Sequence, residues 1–312
     1  MTLINDVFFY FATTNELHYN VIQEVMEMII HKIEKTHFSP SEALIIDYIL
    51  KKGREIKNMT ISQIANETYT SSPLFIRIAK KLGYDGWNEF KEAYLKELDY
   101  LYLNQEVDAN IPFVVNDDMM NIAYNLCILE RETVQDTYSL IQHDDLQKAI
   151  RLLRDCEQID IYGRTPHIHI ARSFQSRMFI LHRHVHLCSL SDELDSTYLM
   201  SDDHHTAIVI SYSGHASQMK HLLEKLKEKK TPIIAITNIE DNDLSLMADV
   251  TLRLSSRELI YTKIADFSSS LSLKYLLDIL YSCIFSLHYQ ENLDSCIKIA
   301  KELDETQHEE FM

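Results

Sequence analysis

The sequence predicts an α/β protein of two domains. An all-helical N-terminal domain, 1–108, precedes an α/β domain, 109–312, built on a five-stranded, flavodoxin-like parallel sheet. Three observations carry this prediction. Apolar residues recur at helical spacing through the first hundred residues. Beyond Cys156, short apolar runs alternate with helical stretches, the rhythm of a parallel sheet covered on both faces. Finally, the chain has only five glycines in 312 residues, so each is expected where the backbone needs it. Gly53, Gly83 and Gly86 fall in one N-terminal window, while Gly163 and Gly214 each follow a strand-like run.

Taken in order, Leu17, Val21, Val25, Met28, Ile29 and Ile33 space a first helix suited to packing or dimerisation. Ser39-Pro40-Ser41-Glu42 is a capping box that opens a second helix, lined by Ala43, Ile46, Ile49 and Leu50 and ended by Gly53. A short helix from Thr60 turns Ile61, Ile64 and Ala65 inward. After the turn TYTSSP, a further helix is expected with Ser71 as cap, Pro73 in its first turn and Leu74, Phe75, Ile78, Ala79 and Leu82 buried. Two short helices joined by a tight turn form a helix-turn-helix pattern. Helix continues over 87–110, a linker lies near 104–112, and a long helix spans 117–155. QIDIYG, HVHLCSL, TAIVISYSG, TPIIAIT and DVTLRL are the five strands. Between them lie helices over 168–181 and 216–229, and a closing helix over 267–287. The acidic end, 302–310, reads as a disordered tail.

Composition narrows the function. Apolar residues make up 46% and charged residues 25%, enough for an ordinary buried core. Five cysteines with no CxxC pair argue against a disulfide framework and a zinc ribbon and suit a reducing cytoplasm. No run of about 18 apolar residues predicts a membrane span, and the start has no basic lead of a secretory signal. A net charge of −17 excludes a protein that coats nucleic acid along its whole surface.

One window breaks that charge. Residues 51–91 hold eight basic and four acidic side chains, so they carry +4 while the remainder carries −21. Such asymmetry marks a nucleic-acid module on an acidic body. On the helix after the turn, Arg77, Lys80 and Lys81 lie off the apolar stripe, and Ser71 and Ser72 stand at its start. These five are the candidate DNA contacts. The competing reading of Lys80-Lys81 is a solvated last turn favoured by the helix dipole.

A second constellation lies at two strand ends. Ser211, Ser213 and Gly214 close the third strand just before a helix, and Ser217 lies in that helix's first turn. Hydroxyls, open backbone N–H groups and a helix N-terminus together suit a phosphate. The first strand ends in Gly163-Arg164-Thr165, which adds a cation and a hydroxyl. A cation and several hydroxyls from two loops suit a sugar phosphate better than a dinucleotide, and neither GxGxxG nor GxxxxGK[ST] occurs. The competing reading is that serines commonly decorate turns.

In this order the motifs resemble the RpiR family of bacterial transcription regulators, over about residues 39–287. TISQIANETYTSS and RIAKKLGYDGWNEFK resemble its DNA-binding module; IDIYGRT, TAIVISYSG, PIIAIT and ADVTL resemble a sugar-isomerase (SIS) domain. The resemblance implies phosphosugar contacts at Ser211, Ser213, Gly214 and the Gly163-Arg164-Thr165 loop, with Ser269 a further ligand-side serine. The chain departs from the family pattern at Leu74 and Ala216, where threonine is usual, and in the bulky RTPHIH loop. The expected partners are operator DNA and a phosphorylated sugar, and the expected assembly is a homodimer or homotetramer. No membrane partner, cofactor or metal is expected.

Two other readings compete. HRHVH would align His182, His184 and His186 on one strand face, with Cys188 following, but no convergent set for zinc is visible in sequence. An aldose–ketose isomerase would need a proton-transferring carboxylate, for which Glu258 in SSREL is the best candidate; Glu258 is also counted among the ligand-binding residues. The helical module ahead of the sheet favours a regulator over an enzyme.

Overall fold

The computed structural model describes residues 28–102, 106–190, 197–214 and 217–309. It divides into two units. Residues up to Leu129 and the segment Arg257–Ala265 form the first; Glu130–Ser256 and the residues from Asp266 onward form the second.

In the first unit the helices are α1 (Ile29–Lys35), α2 (Pro40–Lys52), α3 (Ile61–Glu67), α4 (Pro73–Lys81) and α5 (Trp87–Tyr102). Of the expected first helix, Leu17, Val21 and Val25 lie outside the described residues, and α1 carries Ile29 and Ile33 inward. α2 begins in the capping box, where Ser39 N–H donates to the Glu42 carboxylate over 2.8 Å. Gly53 ends it at φ +49, and a 3₁₀ turn, Gly53–Asn58, follows that no local motif announces. Thr60 and Gln63 cap α3 reciprocally. Ser72, with helical backbone angles, precedes α4 in place of the expected cap Ser71, and its side chain makes no capping bond. Phe75, Ile78 and Ala79 turn inward. Phe75 meets Trp87 edge-on with ring centroids 4.7 Å apart, which anchors α4 to α5. The segment 257–265 is tied into this unit by polar bonds. Glu34 accepts from Ile260 N–H (3.1 Å) and Thr262 Oγ1 (2.9 Å), and Asn110 Oδ1 accepts from Leu259 N–H (2.7 Å).

The long helix expected over 117–155 is two helices, α6 (Met119–Ser139) and α7 (His143–Asp155). The second unit then alternates β1 (Gln158–Gly163), α8 (Thr165–Ile180), β2 (His184–Ser189), α9 (Thr197–Met200), β3 (His205–Ile210), α10 (Ser217–Glu228), β4 (Ile233–Thr237), α11 (Asp243–Met247) and β5 (Val250–Arg253). α12 (Phe267–Leu287) and α13 (Tyr289–Glu309) complete it. All strand pairs are parallel, in the order β2-β1-β3-β4-β5, the five-stranded doubly wound sheet expected. Core strands with near-continuous Ile, Val and Ala bury both faces. One face packs Ile159, Ile161, Ile208, Ile234 and Leu252 against α7, α8 and α12. The other packs Val209 and Ala235 against Leu222, Leu223 and Leu226 of α10. α12 is long and apolar enough to cross a membrane, but Leu273, Leu276, Leu277 and Leu280 are core residues of this layer. At the end of the chain the structure corrects the sequence reading. The residues read as a disordered tail continue α13 to Glu309, because an amphipathic repeat of Leu293, Cys296 and Ile297 carries helix into the acidic stretch.

Candidate functional site

The first site is the exposed face of α4. Ser71, Ser72, Arg77 and Lys80 are exposed on it, and so is Ile76, an apolar residue that the charge pattern does not mark. The turn before it is unusual. Tyr69 sits at φ +54, a conformation normally left to glycine or asparagine, and is 97% exposed.

The basic residues divide by their partners. Lys91 donates to the carbonyls of Lys57 (2.9 Å) and Met59 (2.8 Å), and burial pushes its ammonium pKa down. Lys52 pairs with Glu55 at 2.8 Å. Lys81 is drawn to the buried Glu42 of α2, 2.6 Å away. The hydrogen bond from Lys81 holds the Glu42 carboxyl down at about 2, against desolvation that would raise it. Arg77 lies 3.7 Å from the other Glu42 oxygen but keeps 65% of its side chain exposed. Arg77 and Lys80 are therefore the cations of α4 that make no hydrogen bond to Glu42, whereas Lys81, though partly exposed, does.

The second site lies where the chain reverses direction across the sheet. From β1 it crosses to β2 on one side and then returns to β3 on the other, so β1 and β3 flank the switch point. In register, Gly163 stands beside both Ile210 and Ser189, which brings the carboxyl ends of β1, β2 and β3 together. The two loops singled out from sequence are thus neighbours. Thr165 and Ser189 hydroxyls meet at 3.0 Å. Arg164 is exposed at the N-cap of α8. A side chain at Gly163 would press on the Cβ atoms of His167 and Ile210, so glycine lets the first turn of α8 close on β3.

Ser211 is 8% exposed, and its Oγ accepts from Gly214 N–H over 3.2 Å, which curls the loop. Gly214 takes φ +64, and a Cβ there would overlap the side chain of Asn242. Asn242 belongs to a buried polar platform behind the loop. It donates to Thr237 Oγ1 (2.9 Å), Asn238 Oδ1 (3.2 Å) and Glu240 O (3.2 Å). Arg253 closes the platform through the carbonyls of Asn238 (2.9 Å) and Glu240 (2.8 Å).

The remaining candidates are placed differently. Ser217 begins α10, and its side chain lies outside the described residues, as does Ala216. Ser269 is buried in the first turn of α12. Glu258 lies in the segment 257–265 of the first unit, fully buried, with its carboxylate 2.8 Å from Lys263. Of the three histidines expected on one strand face, His182 adopts φ +56 in the turn before β2, so only His184 and His186 lie on the strand. No group of His, Cys, Asp and Glu able to hold a metal occurs among the described residues.

Sequence reasoning passes over Ser189 and Asn242. Ser189 has a usable signal, because it ends the strand beside β1 at the carboxyl edge of the sheet. Asn242 has none, since its contact with Gly214 crosses between two loops.

A helix-turn-helix unit followed by a doubly wound parallel sheet is the architecture of a DNA-binding transcriptional regulator with a second, α/β domain. Residues 25–99 match the helix-turn-helix domain of the rpiR family, and 152–277 match the SIS domain. The chain belongs to the RpiR family of transcriptional regulators. It resembles an uncharacterized HTH-type transcriptional regulator of Caldanaerobacter subterraneus, 25% identical over 260 residues, covering 81% of this chain and 88% of that one. RpiR of Escherichia coli is 22% identical over 226 residues, 70% of this chain and 72% of that one. The Vibrio vulnificus NanR protein complexed with ManNAc-6P shares the fold with a TM-score of 0.54 and 21% identity, over 85% of this chain and 93% of that one. The protein is a transcriptional regulator rather than an enzyme.

Proposed function

We propose that this regulator binds operator DNA through α4 and senses a phosphorylated sugar at the switch point of its sheet. The observation that carries the effector reading is the meeting of the Gly163-Arg164-Thr165 and Ser211–Gly214 loops at neighbouring strand ends. Ser211, Ser213 and the backbone at Gly214 bind the phosphate, with Thr165 and Arg164 beside them. Ser217 and Ser269 add hydroxyls from α10 and α12, and Ser189 joins Thr165. Bonds from hydroxyls to a charged phosphate are worth on the order of 1.5–3 kcal/mol each. Glu258 belongs to the first unit and is paired with Lys263, so the effector reading does not rest on it. NanR in complex with ManNAc-6P supports a phosphosugar as the effector class.

On the DNA side, α4 enters the major groove. Arg77 reads a base edge, Ile76 meets a thymine methyl, and Lys80, Ser71 and Ser72 meet the backbone. Lys81 is the least available of the five expected contacts, because of its place against Glu42. One such helix contacts few base pairs, so the working form is a homodimer or homotetramer on paired half-sites. The chain acts in the cytoplasm, and its working division falls near residue 108. Effector binding shifts the balance between DNA-competent and incompetent states.

Calorimetry with a panel of hexose and amino-sugar phosphates, beside their unphosphorylated forms, tests the effector reading. Ser211→Ala with Ser213→Ala is expected to weaken the best ligand at least tenfold, about 1.4 kcal/mol. Wild-type affinity in the double variant, or equal binding of the unphosphorylated sugar, refutes it.

A further inference from the structure

Glu42 is fully buried, yet it sits in the first turn of α2 beside two cations of α4. A buried carboxylate is tolerated only when it is paired. Its Oε2 is fully engaged, accepting Ser39 N–H at 2.8 Å and the Lys81 ammonium at 2.6 Å. Lys81 is held from other directions as well. It donates to His37 O at 3.3 Å and lies over the Phe38 ring, 5.7 Å from its centroid. Its charge is spent inside the helical unit.

Oε1 makes no hydrogen bond, and Arg77 Nη2 lies 3.7 Å away. That distance is too long for a hydrogen bond but within ion-pair range, with one partner buried and the other largely exposed. Arg77 is therefore tethered without being consumed. Its Nη2 is held near α2, while the side chain as a whole stays 65% exposed. An arginine limited to few rotamers loses less entropy on meeting a base, and the fork suits the two acceptors of guanine.

We propose that Glu42 is a positioning residue for operator recognition, orienting Arg77 on the exposed face of α4, and that Lys81 is its structural counter-ion rather than a phosphate contact. The inference rests on the DNA-binding role of α4 argued above. It assigns sequence discrimination to a buried acidic side chain on a different helix.

The test uses the full-length protein and two duplexes, one carrying its own promoter region and one scrambled, titrated at several salt concentrations. Glu42→Gln keeps an acceptor for Ser39 N–H and nearly the same volume but removes the charge. It is expected to reduce promoter-over-scrambled discrimination five- to tenfold, with an unchanged salt slope because no phosphate contact is lost. In an Arg77→Ala background the same change is expected to have no further effect on discrimination. Lys81→Met is expected to leave the salt slope unchanged, whereas loss of a phosphate-contacting lysine lowers it by about one. Unchanged discrimination in Glu42→Gln overturns the proposal. So does a loss that persists in the Arg77→Ala background, which marks a purely structural role, or a reduced slope in Lys81→Met. Should Glu42→Gln fail to fold, Arg77→Lys keeps the charge and removes the fork; it is expected to lose discrimination to the same extent, and unchanged discrimination overturns the proposal. A wild-type protein that binds neither duplex overturns the DNA-binding reading itself, a separate failure.

Discussion

Two residues show how much a single side chain decides here. Glu42 titrates near 2 in the folded protein, below its ordinary value of 4.5, because Lys81 and Ser39 favour the carboxylate. A depressed carboxyl pKa stabilises the fold fully above about pH 4.5, and that contribution is lost as pH falls toward 2. We expect about 1–3 kcal/mol at neutral pH. Urea unfolding of wild type and Glu42→Gln should give a stability gap that is widest near neutrality and closes on acidification. A gap independent of pH would show that the substitution disturbs packing rather than charge. Gly214 is the second case, where positive φ and the crowding of Asn242 act together. Gly214→Ala is expected to cost about 1–3 kcal/mol, lowering Tm by several degrees, and to abolish phosphosugar binding. A wild-type Tm with intact binding would count against the close approach.

At the scale of elements, helices were legible where caps and an uninterrupted stripe agreed. The closing helix runs over Phe267–Leu287 as its apolar spacing predicted, and α2 starts and stops at its capping box and Gly53. The break between α6 and α7 was not legible, because apolar spacing continues across it while the backbone turns at Leu140 and Ile141. The segment Arg257–Ala265 was equally hidden. It follows a strand of the second unit in sequence, yet it is held in the first by Glu34 and Asn110. Asn110 carries much of this, accepting Leu259 N–H and donating to Arg257 O at 3.3 Å. Asn110→Ala is expected to cost about 1–3 kcal/mol locally, since it leaves a polar backbone group without its bond. Hydrogen exchange should report faster exchange of the Leu259 amide, with the β1 and β3 amides unchanged. An unchanged Leu259 amide would show that other contacts hold the segment.

At the scale of the whole molecule, the division of labour was already visible in charge. A local +4 window on a −17 chain separates a basic helical segment from an acidic body. The structure refines that arithmetic. Lys52, Lys81 and Lys91 are counted in the window but are bound to protein acceptors, so its charge without such a close partner is concentrated on few side chains. The strand order 2-1-3-4-5 likewise turns two loops, about fifty residues apart in sequence, into neighbours.

The two-part architecture, the five strands, most of the helices and the loops that carry the hydroxyls could all be read from the chain alone. Those features rest on local causes: periodic apolar spacing, caps, and glycines at positions that require them. Which charges are taken up by protein partners emerges when the elements pack together. The pairing of Lys81 with Glu42, the crowding of Gly214 by Asn242 and the burial of Glu258 against Lys263 depend on distances between elements. Sequence spacing fixes which way a side chain points on its own helix or strand. It carries no record of what lies opposite, and burial beside that neighbour is what turns an exposed charge into a structural one.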